Sequence, residues 1–190
     1  MNLYVVRHGQ TDYNVKKLFQ GHMDIPLNNV GIEQAKQIAK QFEDIKVDYI
    51  FSSPLKRAMQ TAEYISRVVG VKIIPEDRLI ERSFGNMEGK ANRNDCNIEM
   101  MLDYDKNYDM ENVEPIQKLF KRIFDYLKEL TYKFKDENIV IVTHGGVSQP
   151  IECFFHGMPK ERNITGFERM TLKNCEVREY KYVNLDKGER

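Results

Sequence analysis

Two histidines stand at equivalent places in the sequence, just after apolar runs typical of buried strands. His8 follows Leu3–Val6 after one intervening residue, His144 follows Ile139–Val142 in the same way, and a glycine comes directly after each histidine. Glycine lets the backbone turn tightly and lets a ligand approach closely. A neutral imidazole can act as a nucleophile toward phosphorus or as a proton carrier. The pattern therefore predicts two histidines at one ligand-binding edge.

Two arginines are predicted to join the histidines. Arg7 is adjacent to the first histidine, and Arg57 falls in the first turn of a helix for which Ser53 is the predicted N-cap and Pro54 the first residue. A helix N-terminus also offers free backbone N–H groups and the positive end of the helix dipole. Guanidinium groups bind planar or tetrahedral oxyanions with paired hydrogen bonds. The combination predicts a site for a dianion, with phosphate as the natural occupant.

A cationic pocket only binds, whereas phosphoryl transfer also needs a nucleophile and a proton donor. We predict that His8 attacks phosphorus in line to give a phosphoramidate, which is hydrolysed in a second step. Glu81, in the sequence LIER, is the candidate acid for the leaving oxygen. The four histidines lack the HxxxH and HxH spacings of metal sites, and the adjacent arginines would repel a cation. We therefore expect neither a metal nor another cofactor.

The elements that position these residues alternate between strand and helix. This alternation predicts an α/β fold with a mostly parallel sheet and helices on both faces, in which ligands bind beyond the carboxyl ends of the strands. The last two strands suit a sheet edge. Helices are predicted after Asn28, after Ser53, from Pro115 and from Val147 to Phe155; strands are predicted at Leu3–Val6, Tyr49–Phe51, Lys72–Ile74, Ile139–Val142, Phe167–Leu172 and Glu176–Val183.

Composition narrows the class of protein. The 190 residues carry 29 Lys plus Arg and 29 Asp plus Glu, so bulk charge gives no support for a nucleic-acid or anionic-membrane partner. No apolar run is long enough to span a membrane, and no secretory signal is evident. Three cysteines without a CxxC pair favour a reducing compartment. We expect a cytoplasmic protein, and the sequence does not indicate its oligomeric state.

Four ordered motifs resemble those of the histidine phosphatase superfamily, the phosphoglycerate mutase-like proteins. A lone RHG triplet would be weak evidence, but four motifs in the expected order are specific. The matching segments are residues 3–14 with 20–21, 24–27, 31 and 34–35; residues 52–58 with 60–62; residues 79–82 with 84–85 and 88–89; and residues 142–147.

The resemblance implies a three-layer α/β/α sandwich whose mostly parallel sheet has an antiparallel edge strand. The chain length fits one domain over residues 1–190, and the polar, irregular stretch 84–114 is too long for a simple connection, so we predict that it is a lid or specificity insertion. By this similarity His8 is the phosphorylated nucleophile, and Glu81 is the acid and then the base for water. Arg7, Arg57 and His144 would complete the phosphate pocket, and contacts to phosphate or substrate are implied for Asn14, Gln20, Gly21 and Gly145.

Three functions remain open at this point. The favoured one is a phosphatase that acts on a small phosphorylated metabolite. A 2,3-bisphosphoglycerate-dependent phosphoglycerate mutase uses the same pocket, but 190 residues leave little room to shield the phosphohistidine from water. A phospho-ligand-binding module without turnover is disfavoured because Glu81 is present. The sequence does not identify the physiological substrate.

Several residues near the site have two possible roles. Arg82 is either a substrate contact or a surface charge, and we favour the surface. Glu88 either supports Glu81 or holds a turn. A group of side chains in the insertion forms either an adaptable lid or a small satellite core; its members are Met100, Met101, Tyr104, Tyr108 and Met110.

Overall fold

The computed structural model of the chain describes residues 1–90 and 98–183. Within these residues one sheet has five strands in the order β3-β2-β4-β1-β5. Strands β1 to β4 are mutually parallel, and β5 pairs antiparallel with β1 at the edge. The strands are β1 (Asn2–Arg7), β2 (Tyr49–Ser52), β3 (Ile73–Pro75), β4 (Asn138–Thr143) and β5 (Val177–Lys181).

The two apolar runs that precede the histidines form the centre of this sheet. Val5 of β1 lies beside Ile141 of β4 in parallel register, and both side chains are fully buried. Strands covered by helices on both faces need apolar residues at successive positions, which explains why these runs do not alternate with polar residues. The predicted strands at both runs are confirmed.

Helices cover both faces of the sheet. The helices are α1 (Asp12–Val15), α2 (Asn29–Lys40), α3 (Lys56–Val69), α4 (Ile98–Met101), α5 (Ile116–Lys133), α6 (Gly145–His156) and α7 (Ile164–Glu168), with short 3-10 turns at Asp77–Leu79 and Gly85–Met87. One core packs α2 and α3 against Val6 and Val140, and the other packs α5 and α6 against Leu3 and Ile141. The predicted three-layer α/β/α arrangement with an antiparallel edge strand is therefore confirmed.

Local sequence signals explain where two of the long helices begin. The Asn28 side chain accepts a hydrogen bond from Gly31 N and caps α2, as predicted. Pro115 caps α5 with an extended backbone conformation and lacks the N–H that a helix start leaves unpaired. Among the described residues, every helix is too short or too polar to cross a membrane.

The predicted start of α3 at Ser53 is wrong. The helix begins at Lys56, and Leu55 takes the cap position without a side-chain hydrogen bond. The Ser53 hydroxyl is instead 2.7 Å from the ring of His144. The same oxygen also accepts from Leu55 N at 3.4 Å, so it lies one turn before the helix and does not reach the N–H groups of Lys56–Val69.

The predicted strand Phe167–Leu172 is also wrong. Phe167 lies in α7, a helix that Asn163 caps by accepting a hydrogen bond from Thr165 N. The Phe167 ring is fully buried and packs against Phe120 of α5. An Asn cap and tertiary packing override the mixed alternation that favoured a strand. The predicted edge strand that follows is confirmed as β5.

The topology brings three strand ends to one edge of the sheet. Strands β1, β2 and β4 are parallel neighbours, so their carboxyl ends point the same way. They deliver His8, Ser53 and His144 to that edge, where His8 N also donates to Thr143 O at 3.0 Å. Ligands of open α/β sheets bind in this position.

Candidate active site

His8 is held in one orientation at the end of β1. Its side chain is only 2% exposed, and its Nδ1 lies 2.7 Å from the backbone oxygen of Gly9. A carbonyl oxygen can only accept, so Nδ1 must carry the hydrogen. In the neutral ring Nε2 then keeps its lone pair, and His8 is among the residues that line the main cavity at this edge.

The backbone around His8 is fixed by a residue that sequence reasoning missed. The Asn174 side-chain nitrogen donates to the oxygen of His8 at 3.0 Å and to that of Gly9 at 3.3 Å. Cys175 N donates to Arg7 O at 3.0 Å in the same turn. Asn174 lies in the turn before β5, where a polar residue is ordinary, so no sequence signal marked it.

His144 lies beside His8, with their ring centroids 5.1 Å apart, but it is not among the residues that line the cavity. Arg57 Nε donates to Nδ1 of His144 at 3.2 Å, so this nitrogen accepts. The other nitrogen, Nε2, therefore carries the hydrogen and donates to Ser53 Oγ at 2.7 Å. Both ring nitrogens of the fully buried His144 are engaged within the protein.

The two arginines border the same space. Arg57 is 1% exposed and donates from its terminal nitrogens to Gly21 O and Met23 O. Arg7 donates from Nη1 to Leu172 O at 2.6 Å. Its buried Nε has no hydrogen-bond partner among the described residues.

Burial and positive neighbours keep both imidazoles neutral. The pKa of His8 is lowered well below its ordinary value, first by burial and then by Arg57 and Arg7. The pKa of His144 is lowered in the same way, by burial and then mainly by Arg57. Burial lowers the pKa of Arg57 to about 10, which still leaves the guanidinium charged at neutral pH. The site therefore combines neutral imidazoles with cationic guanidiniums.

Glu81 lines the same cavity, where burial lowers the pKa of both Arg7 and Arg57 and the charge of Glu81 raises it against that effect. Its carboxylate accepts hydrogen bonds from Arg82 N at 2.9 Å and from Gly146 N, in the first turn of α6, at 3.1 Å. The segment that carries it is tied to β4, because Thr143 Oγ1 donates to Leu79 O at 2.8 Å. Glu81 lines the cavity together with the nucleophile candidate His8. A carboxyl group in this position can exchange a proton with a ligand.

The remaining predicted contacts also line the cavity. Asn14 closes a capping box with Thr11, and the Thr11 hydroxyl donates to Gln20 Oε1 at 2.9 Å. Gly21 has a φ of +47°, and an added Cβ would collide with the Glu88 carboxylate. An added Cβ at Gly145 would lie 3.1 Å from the Arg7 guanidinium carbon. Gly21 therefore favours glycine, whereas a side chain at Gly145 would require the Arg7 guanidinium to shift slightly.

The cavity continues from the polar site into an apolar region. Its apolar lining comes from the loop after α1, from the 84–114 segment and from α5. These residues are Leu18, Phe19, Phe84, Ile98, Met101, Leu102 and Leu119. Gln149 and Thr171 supply polar atoms, and Arg82 and Glu168 supply charged ones. A ligand with a phosphate in the polar part would place its remaining atoms here.

Comparison with known proteins agrees with this geometry. Residues 3–186 match the sequence profile of the family described as the histidine phosphatase superfamily, branch 1. The chain belongs to the histidine phosphatase superfamily. The resemblance predicted from the four motifs is therefore confirmed.

Named relatives in the superfamily include phosphatases and a mutase-like protein. A Hydrogenobacter thermophilus protein provisionally named phosphoserine phosphatase 2 is 35% identical over 84% of this chain and 80% of its own. Phosphoglycerate mutase-like protein 4 of Arabidopsis thaliana is 35% identical over 85% of this chain and 73% of its own. The solved phosphoserine phosphatase of Entamoeba histolytica, bound to 3-phosphoglyceric acid, has a TM-score of 0.80 and 28% identity over 94% of this chain and 89% of its own.

Arg82 is not the surface charge that we favoured. It is 3% exposed, and its guanidinium donates to Glu114 O and Met101 O, each at 2.7 Å. Burial lowers its pKa to about 10. The fold of the 98–114 segment provides these carbonyls, so the burial of this one arginine depends on contacts remote in sequence.

Glu88 holds a turn. One carboxylate oxygen accepts from His22 N at 3.0 Å and from Phe84 N at 3.1 Å, which joins the two loops that carry cavity residues. The insertion residues divide between the two predicted roles. Met101 is buried and lines the cavity, whereas Tyr104 packs on Phe120 with ring centroids 5.0 Å apart.

Side chains that could ligate a metal are dispersed rather than clustered in the part of the chain that the structure describes. Within residues 1–90 and 98–183, no three His, Cys, Asp or Glu side chains are grouped so that they could hold a metal ion. Cys153 and Cys175 are both free thiols there, whereas Cys96 lies outside the described residues.

Proposed function

We propose that this chain is a phosphatase that hydrolyses a small phosphomonoester through a phosphohistidine at His8, without a metal or other cofactor. Superfamily membership and the phosphatase names among its relatives support a phosphatase. The observation that carries the mechanism is the tautomer of His8. Its Nδ1 hydrogen bonds to Gly9 O, which leaves a nucleophilic lone pair on Nε2 next to Arg7 and Arg57.

The first half-reaction transfers the phosphoryl group to the enzyme. The phosphate oxygens accept hydrogen bonds from the guanidiniums of Arg7 and Arg57, which both line the cavity. Nε2 of His8 attacks phosphorus in line, the N–P bond forms, and the P–O bond to the leaving group breaks. The carboxyl group of Glu81 gives a proton to the leaving oxygen as this bond breaks. The alcohol departs and Glu81 is left as a carboxylate.

The second half-reaction regenerates the enzyme. The Glu81 carboxylate takes a proton from water as the water oxygen attacks the phosphohistidine. The N–P bond breaks, its electron pair returns to Nε2, and inorganic phosphate leaves. Throughout both half-reactions, His144 keeps the Arg57 guanidinium in position by accepting a hydrogen bond from Arg57 Nε at its Nδ1. Asn14, Gln20, Gly21 and Gly145 are the proposed further contacts to phosphate or substrate.

The same proposal assigns a role to the 84–114 segment. We treat residues 1–190 as one domain in which this insertion reads the leaving group. Phe84, Ile98, Met101 and Leu102 from the segment line the apolar part of the cavity. The substrate is then a small phosphorylated metabolite in the cytoplasm.

A phosphoglycerate mutase is the second candidate, because several relatives carry phosphoglycerate mutase or mutase-like names. The two activities differ in the fate of the phosphohistidine. Release of inorganic phosphate from p-nitrophenyl phosphate or 3-phosphoglycerate without 2,3-bisphosphoglycerate supports the phosphatase. Isomerisation that strictly requires 2,3-bisphosphoglycerate, without phosphate release, would replace our proposal by the mutase.

The direct test is detection of the covalent intermediate. Enzyme mixed rapidly with p-nitrophenyl phosphate and quenched in alkali should show a transient mass increase of one phosphoryl group. His8→Asn should remove the adduct and lower turnover by roughly 10⁴-fold or more. His156→Asn is the matched control, since His156 is an exposed residue paired with Glu152 at the far end of α6.

Three results bear on the proposal as a whole. An adduct that persists in His8→Asn would contradict the nucleophile assignment. Absence of both an adduct and phosphate release in the unmodified protein would indicate a binding module. Activity should survive EDTA because Arg7 and Arg57 supply the positive charge, and loss of activity on chelation would contradict the metal-free mechanism.

A further inference from the structure

Gln34 belongs to the first of the four sequence motifs, yet the proposed mechanism gives it no role. It lies on α2, one turn after Gly31, and its side chain is half-buried. Its side-chain oxygen accepts a hydrogen bond from the backbone nitrogen of Gln10 at 2.9 Å. Because Gln10 lies in the loop that follows the nucleophile candidate His8, this contact joins α2 to the loop on which the chemistry depends.

The peptide group between Gly9 and Gln10 connects Gln34 with His8. Its oxygen accepts the hydrogen on Nδ1 of His8 at 2.7 Å, and its nitrogen donates to Gln34 at 2.9 Å. A peptide group is planar, and in the trans form its C=O and N–H point in opposite directions. The His8 ring and the Gln34 amide therefore contact one rigid group from opposite sides. A displacement of its nitrogen must also move the oxygen that orients His8.

The start of α2 holds the rest of Gln10 as well. Asn28, which caps the helix, donates from its backbone nitrogen to Gln10 O at 3.0 Å and from its side chain to Gln10 Oε1 at 3.1 Å. Gly31 lies against the Gln10 backbone, where an added Cβ would collide. Gln34 supplies the contact that acts on the peptide group to which His8 binds.

We infer that Gln34 is a positioning residue for the nucleophile: it holds the Gly9–Gln10 peptide so that the peptide oxygen fixes the ring and the tautomer of His8. This inference rests on the proposed phosphohistidine mechanism and adds a residue to it. A hydrogen bond donated by a peptide N–H polarises the C=O of the same peptide and strengthens the bond that this oxygen accepts. Gln34 therefore favours the hydrogen on Nδ1 of His8 and the lone pair on Nε2.

Removal of the acceptor should slow phosphorylation of the enzyme without weakening substrate binding. Gln34→Met keeps the length of the side chain and lacks the oxygen. The rate of phosphohistidine formation from p-nitrophenyl phosphate, measured by rapid quench, should fall about threefold to tenfold, as for loss of one hydrogen bond. The dissociation constant of the substrate, taken from the concentration dependence of that rate, should be unchanged because Arg7 and Arg57 keep their own hydrogen bonds.

Further variants show whether the oxygen of Gln34 is the cause. Gln34→Glu keeps an acceptor for Gln10 N, so it should retain the rate of the unmodified protein. Gln37→Met removes an amide from an exposed position on the same helix and is the matched control, with no expected effect. If Gln34→Met does not fold, Gln34→Ala removes the same oxygen with a residue that favours a helix.

The tautomer of His8 gives a readout that does not depend on turnover and that a general loss of packing would not change. Nitrogen NMR of protein labelled in its histidine rings shows which ring nitrogen carries the hydrogen, and His8→Asn assigns the His8 signals. The unmodified protein should carry the hydrogen on Nδ1. Gln34→Met should carry a larger share on Nε2, and Gln34→Glu should resemble the unmodified protein.

The outcomes separate this inference from the proposed function. An unchanged rate or unchanged ring signals in Gln34→Met would mean that water replaces the amide oxygen, and the positioning role would be overturned while the phosphatase stands. Equal slowing of Gln34→Met and Gln34→Glu would also overturn it, because the oxygen would then not be the cause. If the unmodified protein forms no phosphohistidine, the proposed function fails, and the ring signals alone decide whether Gln34 sets the tautomer.

Discussion

At the scale of single residues, the two buried histidines have different environments although their sequence contexts match. His8 gives its Nδ1 hydrogen to the Gly9 carbonyl, which leaves a lone pair on Nε2. His144 accepts a hydrogen bond from Arg57 and donates one to Ser53, so its ring helps to fix the position of the Arg57 guanidinium. The hydrogen-bond partner of one ring nitrogen decides what the other can do. The assignment of His8 as nucleophile rests on this difference.

The role of Glu81 is tested by the dependence of rate on the leaving group. Glu81→Gln cannot protonate the leaving oxygen, so hydrolysis of alkyl phosphates should slow by about 10²-fold to 10⁴-fold. p-Nitrophenolate needs little protonation, so p-nitrophenyl phosphate should slow by less than about tenfold. Steady-state kcat/KM values for a series of esters measure this difference.

Glu88→Gln is the matched control for that series. Glu88 lies in the same loop region but accepts from two backbone N–H groups, and glutamine retains one oxygen that can accept. Any effect of this variant should be small and equal for all esters. Equal slowing of alkyl and p-nitrophenyl esters in Glu81→Gln would argue against Glu81 as the proton donor.

Asn174 should act as a positioning residue for the nucleophile. Asn174→Ala removes the hydrogen bonds to the backbone oxygens of His8 and Gly9, which anchor the imidazole. We expect the rate of phosphohistidine formation to fall about threefold to tenfold, as for loss of one hydrogen bond, with little change in KM. Rapid-quench measurements give this rate directly. A rise in KM at constant kcat would place Asn174 in substrate binding instead.

At the scale of secondary-structure elements, a feature could be predicted when the residues that determine it are neighbours in the sequence. The strands before His8 and His144 were predictable because buried parallel strands are apolar throughout. The burial of Arg82 could not be predicted. Its guanidinium donates to the backbone oxygens of Met101 and Glu114, and these lie in a segment whose sequence shows no helical or strand periodicity. Ser53 has the sequence context of a helix cap, yet a histidine 91 residues away takes its hydroxyl.

The contact between α2 and the loop after His8 should be sensitive to a single methyl group. An added Cβ at Gly31 would collide with the backbone oxygen of Gln10 and lie 2.8 Å from its nitrogen. Gly31→Ala should therefore destabilise the protein by about 1–3 kcal/mol. It should also lower kcat, because the displaced loop continues into Gly9, whose oxygen orients His8.

Gly70→Ala provides the comparison. Gly70 ends α3 with a φ of +72°, and a Cβ there would meet no atom within 4 Å. The free energy of unfolding of Gly70→Ala should fall by about 1 kcal/mol, because alanine disfavours the left-handed backbone conformation, and activity should be unchanged. Urea denaturation and kcat measured on both variants test the distinction. Unchanged activity in Gly31→Ala would show that the loop adjusts without moving the nucleophile.

At the scale of the whole molecule, a chain with equal numbers of acidic and basic residues concentrates positive charge in one buried place. Arg7, Arg57 and Arg82 all line the cavity, and burial lowers the pKa of each. Charges kept out of water without full pairing reduce stability, and an anionic ligand restores it. The fold therefore keeps three buried guanidiniums at one cavity, and this arrangement lowers the free energy of unfolding.

The same arrangement predicts how stability depends on pH. Both buried histidines have folded-state pKa values well below 6.5, whereas in the unfolded chain they take up protons near that pH. The unfolded state thus binds more protons, and the free energy of unfolding must decrease as pH falls below about 6.5, by up to about 1.4 kcal/mol per pH unit for each histidine.

Urea denaturation from pH 6.5 to 5.5 in phosphate-free buffer isolates this effect, because most carboxylates titrate at lower pH. His8→Asn removes one titrating group and should remove up to half of the slope, since the slope is a sum over groups. A slope as steep in His8→Asn as in the unmodified protein would mean that His8 is already protonated in the folded state, and a protonated imidazole could not attack phosphorus.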